Sequence, residues 1–422
     1  MIARLKPSVP SGTVKAIASK SVAHRLLICA AFADGETRIR CEETNRDIEA
    51  TAECLSALGA AVRREAPFYV VSPIKTLNRG ATLNCHESGS TMRFLVPIAA
   101  ALGADCDFLM AGRLPERPLS PLREELEAHG ISFSPAGSNP LRCRGSLTGD
   151  SFEIAGNVSS QFISGLLFAL TLMGKEATLT VTGKLESAPY VEMTVDALSI
   201  FSASPEKDGN TYHIKKNTSL ISPREIDVEG DWSNAAFPLA AGAMGKGVVT
   251  VCGLDPLSRQ GDRKIIELLG EFGADIKEDA SGRAYTVRGG RLHGIEIDAS
   301  QIPDLVPILA TVASVAEGET RIYGASRLRI KESDRLATTV QMLTSLGADL
   351  QTSEDGLIIH GKPSLSGGVT ESFNDHRIAM SAAVASTVSR GEVVINGAEA
   401  TSKSYPSFWQ DMKNLNISAD IS

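Results

Sequence analysis

Residues 55–62 read LSALGAAV, and the same phrase returns as LEAHGISF (126–133), VDALSIFS (195–202), LGEFGADI (269–276), LTSLGADL (343–350) and MKNLNISA (412–419). Each closes a helical pattern and opens an extended one across a turn residue. The turn falls at Gly59, Gly130, Ser199, Gly273, Gly347 and Asn416, at separations of 71, 69, 74, 74 and 69 residues. Glycine and asparagine tolerate the left-handed conformation that ends a helix, and Ser199 departs from that rule. A spacing this even along a whole chain marks a long-period duplication.

Working outward, a second and more apolar helix precedes each phrase. Its copies are AHRLLICAAFADGETRI (23–39), MRFLVPIAAALGADCDF (92–108), FISGLLFALTLMGKEATLTV (162–181), AAFPLAAGAMGKGVVTV (235–251), LVPILATVASVAEGETRI (305–322) and AMSAAVASTVSRGEVVI (379–395). The alternation of helix and short strand predicts an α/β chain of six βαβαββ-like units, about 70 residues each by division of the 422-residue chain. Two groups of three supply apolar faces for two cores, with sheets outside and helices inside or between layers. The polar stretch TSLISPREIDVEGDWSN (218–234) sets the boundary near Asp227.

The 42 Lys and Arg against 50 Asp and Glu give a net charge of -8, which disfavours a broadly basic nucleic-acid surface but leaves room for a concentrated anion pocket. Seven cysteines without CxxC spacing favour a reducing setting over disulfides or a metal site. No stretch reaches the roughly 18 apolar residues of a membrane helix, so a soluble cytoplasmic protein is expected. GxxxxGK[ST] and GxSxG are both absent, which lowers ATPase and α/β-hydrolase readings.

Polar residues gather where the six apolar helices begin, at the ends whose free N–H groups and dipole favour anions. Lys20, Ser21 and Arg25 open the first, with Ser21 and Arg25 at i, i+4 spacing. Gly89 opens the second beside Arg93, and Arg117 sits in the proline-constrained LPERPLSPL (114–122). Ser159, Ser160 and Gln161 open the third, and Ser187 precedes Pro189. Asp304, His376 with Arg377, and Lys403 lie near later element starts. In LRIKESDRL (328–336), Lys331 and Arg335 fall on one i, i+4 face with Glu332 and Asp334 offset. Capping, turns and solvated ion pairs explain each segment locally at least as well as ligand binding, so no single one identifies chemistry.

As an ordered set, SKSVAHR (19–25), ESGSTMR (87–93), LPERPLSPL, VSSQF (158–162), IPD (302–304), RIKESDRL (329–336), NDHRIAM (374–380) and TSKSYP (401–406) resemble the EPSP synthase (3-phosphoshikimate 1-carboxyvinyltransferase) family of enolpyruvyl transferases over nearly the whole chain. The resemblance implies two inverse α/β domains with the active site in the cleft between them. The amino terminus would return to the second domain, giving a discontinuous domain of residues 1–12 plus 228–422 and a continuous one of residues 13–227. It implies transfer of the enolpyruvyl group of phosphoenolpyruvate to the 5-hydroxyl of shikimate 3-phosphate through a tetrahedral intermediate, in aromatic amino-acid biosynthesis, by a monomer. No metal, nucleotide or redox cofactor is implied.

Carried over by motif, Lys20, Gly89, Arg117, Gln161, Arg335, Arg377 and Lys403 would surround phosphoenolpyruvate. Lys20, Ser21, Arg25, Ser159, Ser160, Gln161, Ser187, Asp304 and Lys331 would orient shikimate 3-phosphate. Asp304 would act as base, Glu332 as acid, and Lys20 would assist phosphate departure. The chain departs from the family pattern at Glu87, where Asn is common, at Phe94, where Pro is common, and at Arg327, where a polar amide is common. The resemblance therefore assigns these three no role, and His376 is only a nearby polar candidate. The related UDP-N-acetylglucosamine enolpyruvyl transferases place a cysteine in a flexible loop, and GRLPERPLSPL (112–122) contains none. A non-catalytic phosphometabolite-binding protein is the remaining alternative.

Overall fold

The structure, a computed structural model, describes residues 1–422. The chain forms two compact units, Ala18–Val228 and Met1–Ile17 with Glu229–Ser422. The continuous unit carries helices α1 (Lys20–Ala31), α2 (Arg46–Leu58), α3 (Gly89–Leu102), α4 (Leu122–Ala128), α5 (Ser160–Leu172) and α6 (Ala188–Ile200). The other carries α7 (Trp232–Met244), α8 (Ile265–Phe272), α9 (Val306–Ala313), α10 (Arg335–Ser345), α11 (His376–Ala385) and α12 (Phe408–Asn414).

One four-stranded sheet order occurs six times. In three of the sheets it is built in succession from a strand entering a buried helix, a parallel strand leaving it, and two antiparallel strands after an outer helix, while each of the other three takes one strand from elsewhere in the chain. In the third sheet of the continuous unit, Ser151–Ala155 runs parallel to Ala177–Thr182 across α5. Thr211–Ile214 and Glu206–Asp208 complete that sheet. Strand residues alternate between buried and exposed, so each sheet turns one face to the helices and the other to water. The odd-numbered helices are buried on almost every side and form the two cores. Their crowding shows at Gly165 of α5, where an added Cβ would lie 2.4 Å from the Arg93 carbonyl oxygen of α3. No helix is long and apolar enough to cross a membrane.

The first crossing between units lies after Ile17 rather than after residue 12, because Gly12–Lys15 is a strand paired in parallel with Val248–Cys252. Ile2–Leu5 pairs between Val393–Asn396 and Ala419–Ile421. The amino terminus thus fills strand positions in two sheets of the second unit, and Glu225–Asp227 fills the corresponding position beside Thr37–Arg40 in the continuous one.

The turn rule holds at five positions, with φ of +118° at Gly59, +94° at Gly130, +106° at Gly273, +94° at Gly347 and +60° at Asn416. Ser199 is not the sixth. Helix α6 runs on through Ile200, and Ser202 takes the left-handed conformation at φ +63°. The shift leaves spacings of 72 and 71 residues on its two sides.

Candidate active site

In the continuous unit the candidate residues cluster at the amino-terminal ends of α1, α3 and α5. Lys20 opens α1, and its Nζ donates to Asp47 Oδ2 of α2 at 2.8 Å. Arg25, one turn on, is buried. It donates from Nε to Thr194 Oγ1 at 2.8 Å, from Nη2 to the Tyr190 carbonyl at 2.7 Å and from Nη1 to the Ser21 carbonyl at 2.6 Å. The i, i+4 pairing with Ser21 is therefore made through Ser21's backbone oxygen. Burial lowers the Arg25 pKa to about 10, which still leaves it charged at neutral pH.

Gly89 is the first residue of α3, whose cap is Ser88. A Cβ on Gly89 would meet Arg93 Nη1 at 2.6 Å and Arg117 Nη1 at 2.9 Å, so the missing side chain lets two guanidiniums close on the backbone there. Arg93 Nη1 donates to Gln161 Oε1 at 3.0 Å, and Gln161 Nε2 donates to Ser90 Oγ at 2.8 Å, which ties α5 to α3. Ser159 caps α5 by accepting from Gln161 N, Ser160 is its first residue, and Ser187 stands left-handed at φ +54° before α6. Sequence reasoning missed Asp47 and left Arg93 unassigned, because their partners lie 27 and 68 residues away.

The other unit gathers its candidates around Arg335, the first residue of α10. Its Nη1 donates to Asp304 Oδ1 at 2.8 Å, Nη2 to Glu332 Oε2 at 2.7 Å and Nε to Asp375 Oδ2 at 2.8 Å. Arg377 Nη2 donates to Asp304 Oδ2 at 3.0 Å. Burial alone would raise the Asp304 pKa, but Arg377, Lys331 and Arg335 outweigh it and hold the carboxyl well below the usual range. Burial lowers Lys331 to about 8 against the opposing pull of Asp304 and Glu332. Lys403 Nζ donates to the Asn374 carbonyl at 2.7 Å, next to Asp375, and His376 is buried behind that cap. Arg327 Nη2 donates to the Ser300 carbonyl at 3.0 Å.

The expected i, i+4 face of Lys331 and Arg335 is absent. Residues 326–330 form a short 3-10 turn, Lys331 is extended, and Asp334 caps α10 by accepting from Ala337 N at 3.1 Å, so the helix begins only at Arg335. Asp334 as cap and Glu332 on Arg335 thus divide the segment's acids between structure and site. Two acids went unnoticed in the sequence. Asp375 caps α11 through Arg377 N at 3.0 Å while also holding Arg335. Asp262 accepts from the Ser233 hydroxyl, and burial first, then the charge of Asp304, pushes its pKa up to about 7. Asp375 lies within NDHRIAM (374–380) but was passed over for His376 and Arg377, and Asp262 lies in no quoted motif.

Three carboxyls gathered on one guanidinium, with further cations beside them, suit acid–base chemistry on an anionic substrate. Comparison with known proteins bears on which. The family model described as EPSP synthase (3-phosphoshikimate 1-carboxyvinyltransferase) matches residues 6–412. The 3-phosphoshikimate 1-carboxyvinyltransferase of Clostridium kluyveri is 41% identical over 423 residues, covering 97% of this chain and 96% of that protein. The Clostridium perfringens protein of the same name is 41% identical over 414 residues, covering 97% of each. The solved EPSP synthase of Acinetobacter baumannii superposes with a TM-score of 0.82 at 26% identity, covering 100% of this chain and 99% of that one. With the family match running through nearly every repeat and both polar clusters, the chain belongs to the EPSP synthase (3-phosphoshikimate 1-carboxyvinyltransferase) family of enolpyruvyl transferases.

Proposed function

We propose a division of labour for the family's reaction, in which the enolpyruvyl group of phosphoenolpyruvate passes to the 5-hydroxyl of shikimate 3-phosphate and inorganic phosphate leaves. The observation that carries it is Arg335 holding Asp304 and Glu332 on separate nitrogens. The addition needs one group to take the proton of the attacking hydroxyl and another to protonate the methylene carbon. Asp304, held ionised, takes or orients the hydroxyl proton, and Glu332 gives its proton to the methylene. The new carbon–oxygen bond makes a tetrahedral ketal. Return of a proton from the resulting methyl group to Glu332 restores the double bond as the carbon–oxygen bond to phosphate breaks, with Lys20 assisting departure and the leaving phosphate taking up the proton lost by the hydroxyl.

Asp304 is a weak base while two guanidiniums hold it. An arriving carboxylate and phosphate offer Arg335 and Arg377 new partners, which frees Asp304 and raises its basicity. Arg117, Gln161, Lys403 and the Gly89 backbone complete the phosphoenolpyruvate set. Ser21, Arg25, Ser159, Ser160, Ser187 and Lys331 orient shikimate 3-phosphate. Cations fixed in advance stabilise the intermediate's charge without waiting for water to reorganise. The enzyme works as a cytoplasmic monomer.

Phosphate release is the test, measured with each substrate alone and with both. Release only with the pair is expected, and release with UDP-N-acetylglucosamine as acceptor instead would establish the other transferase activity. Against that second activity, residues 112–122 hold no cysteine, and the flanking Cys106 and Cys143 are buried. Glu332→Gln is expected to lower kcat by roughly 10²–10⁴ while both substrates still bind. Unchanged turnover would remove Glu332 from the acid role.

A further inference from the structure

Beneath Lys20 and Gly89 runs a chain of buried polar side chains that lies outside the proposed substrate-contacting set. His24 Nδ1 lies 2.7 Å from Thr51 Oγ1, Thr51 Oγ1 lies 2.7 Å from Thr91 Oγ1, and Thr91 Oγ1 donates to Ser88 Oγ at 2.8 Å. These residues come from α1, α2 and α3 and from the cap of α3, and all are buried. Burial removes the competing water, so the chain is as strong as its proton order is consistent.

That order is fixed from the far end. Ser88 Oγ accepts from Thr91 N at 3.3 Å, as a helix cap must, and also from the Thr91 hydroxyl. Thr91 has then spent its proton, so the Thr51 hydroxyl donates to Thr91, and Thr51 can only accept from His24. His24 must therefore carry a proton on Nδ1. Its Nε2 is buried and takes no hydrogen bond. Phe94, itself buried, packs edge-on to the imidazole with ring centroids 6.4 Å apart. Burial, with Lys20 and Arg25 on the same helix, disfavours a second proton.

We infer that neutral His24, in its Nδ1–H tautomer, is a positioning residue that fixes the Ser88–Gly89 entry of α3 through Thr51 and Thr91, and with it the backbone offered to phosphoenolpyruvate. The inference rests on the proposed placement of Gly89 against that substrate. It also gives Phe94, which departs from the family pattern, a place as the buried ring packed edge-on against the relay. Neutrality has a second benefit, since a charged imidazole one turn from Lys20 would repel the ammonium that the substrate phosphate needs.

The test begins on the intact, unmutated protein. Long-range proton–nitrogen correlation at pH 7, with the His24 signals identified by their loss in His24→Asn, should show a proton on Nδ1 and a bare Nε2. An Nε2–H tautomer or an imidazolium overturns the relay. Kinetics then test its coupling to the site. Thr51→Val keeps the side chain's shape and removes the hydroxyl. It should raise KM for phosphoenolpyruvate about tenfold, the equivalent of one net hydrogen bond, and move KM for shikimate 3-phosphate less than about twofold. His24→Leu should match it, His24→Asn should recover most of the loss by donating from its amide, and the His24→Leu/Thr51→Val pair should be no worse than either single change. The expected tautomer with an unmoved phosphoenolpyruvate KM overturns the link to Gly89, as do equal losses for both substrates or an additive double variant. Absence of phosphate release by the unmutated enzyme would instead fail the proposed reaction.

Discussion

Arg335 brings acids from three elements onto one group: Asp304 ahead of α9, Glu332 ahead of α10 and Asp375 at the cap of α11. The guanidinium presents five donors in a planar fork, so it can bridge carboxylates that would otherwise repel. Lys331, beside this hub, has the opposite problem. Burial lowers its pKa to about 8, below the ordinary lysine value, and Asp304 and Glu332 only partly restore it. The sign follows directly. Between about pH 8 and the unfolded value the unfolded chain binds more protons, so this residue favours folding increasingly as pH rises through that window. At pH 8 about half of the free enzyme carries Lys331 neutral, and a bound phosphate dianion favours the ammonium. Binding of shikimate 3-phosphate at pH 8, where the substrate's phosphate is already ionised, should therefore take up about half a proton. Calorimetry in two buffers of different ionisation enthalpy reads that number. The same uptake in Lys331→Met would refute the assignment. The sequence marked Lys331, Glu332 and Arg335 by their density of charge, but Asp375 had to wait for the fold, because its bond to Arg335 spans 40 residues.

Elements were legible where their signals are local. Five helix ends carry Gly or Asn in the left-handed conformation, and the repeat period could be read from them directly. The sixth was misplaced by three residues because serine gives no such signal, and only the fold shows that α6 continues to Ile200. Likewise, an i, i+4 reading of residues 331–335 assumes a helix by Lys331, whereas Asp334 caps one that begins four residues later, at Arg335. Ser202 pays a steric cost for its φ of +63° that glycine would avoid, and its side chain is exposed. Ser202→Gly should thus raise stability by about 0.5–1 kcal/mol, the strain relieved being partly offset by the added freedom of the unfolded chain. Gly59→Ala should do the reverse. At φ +118° its Cβ would stand 2.4 Å from the Thr76 carbonyl oxygen, so a loss of about 2 kcal/mol or more is expected. Urea unfolding with unchanged slope checks both. A stabilised Gly59→Ala or a destabilised Ser202→Gly would show that the shared turn geometry does not govern these helix ends.

The whole chain distributes its parts unequally between two cores. The repeat pattern made three-plus-three units readable, and the family resemblance implied that the amino terminus would return to the second domain. Ala18–Val228 is continuous, has its own core, and closes its first sheet with Glu225–Asp227. Glu229–Ser422 depends on the amino terminus twice, and Ile2–Leu5 lies between two other strands of its sheet. Removing an interior strand exposes two unpaired edges, whereas removing an end strand exposes one. Residues 18–228 alone should therefore unfold cooperatively and show helical circular dichroism. They should release no phosphate from the substrate pair, since Asp304 and Glu332 lie in the other unit. Residues 229–422 alone should aggregate or remain poorly structured, and joining Met1–Ile17 to them through a flexible linker should restore a cooperative transition. If 229–422 folds equally well without that segment, Ile2–Leu5 is a dispensable addition and the shared sheet does not hold the unit together. If it folds only with the segment, the first 17 residues are structurally part of the unit that contributes the acids, although they precede the other unit in sequence.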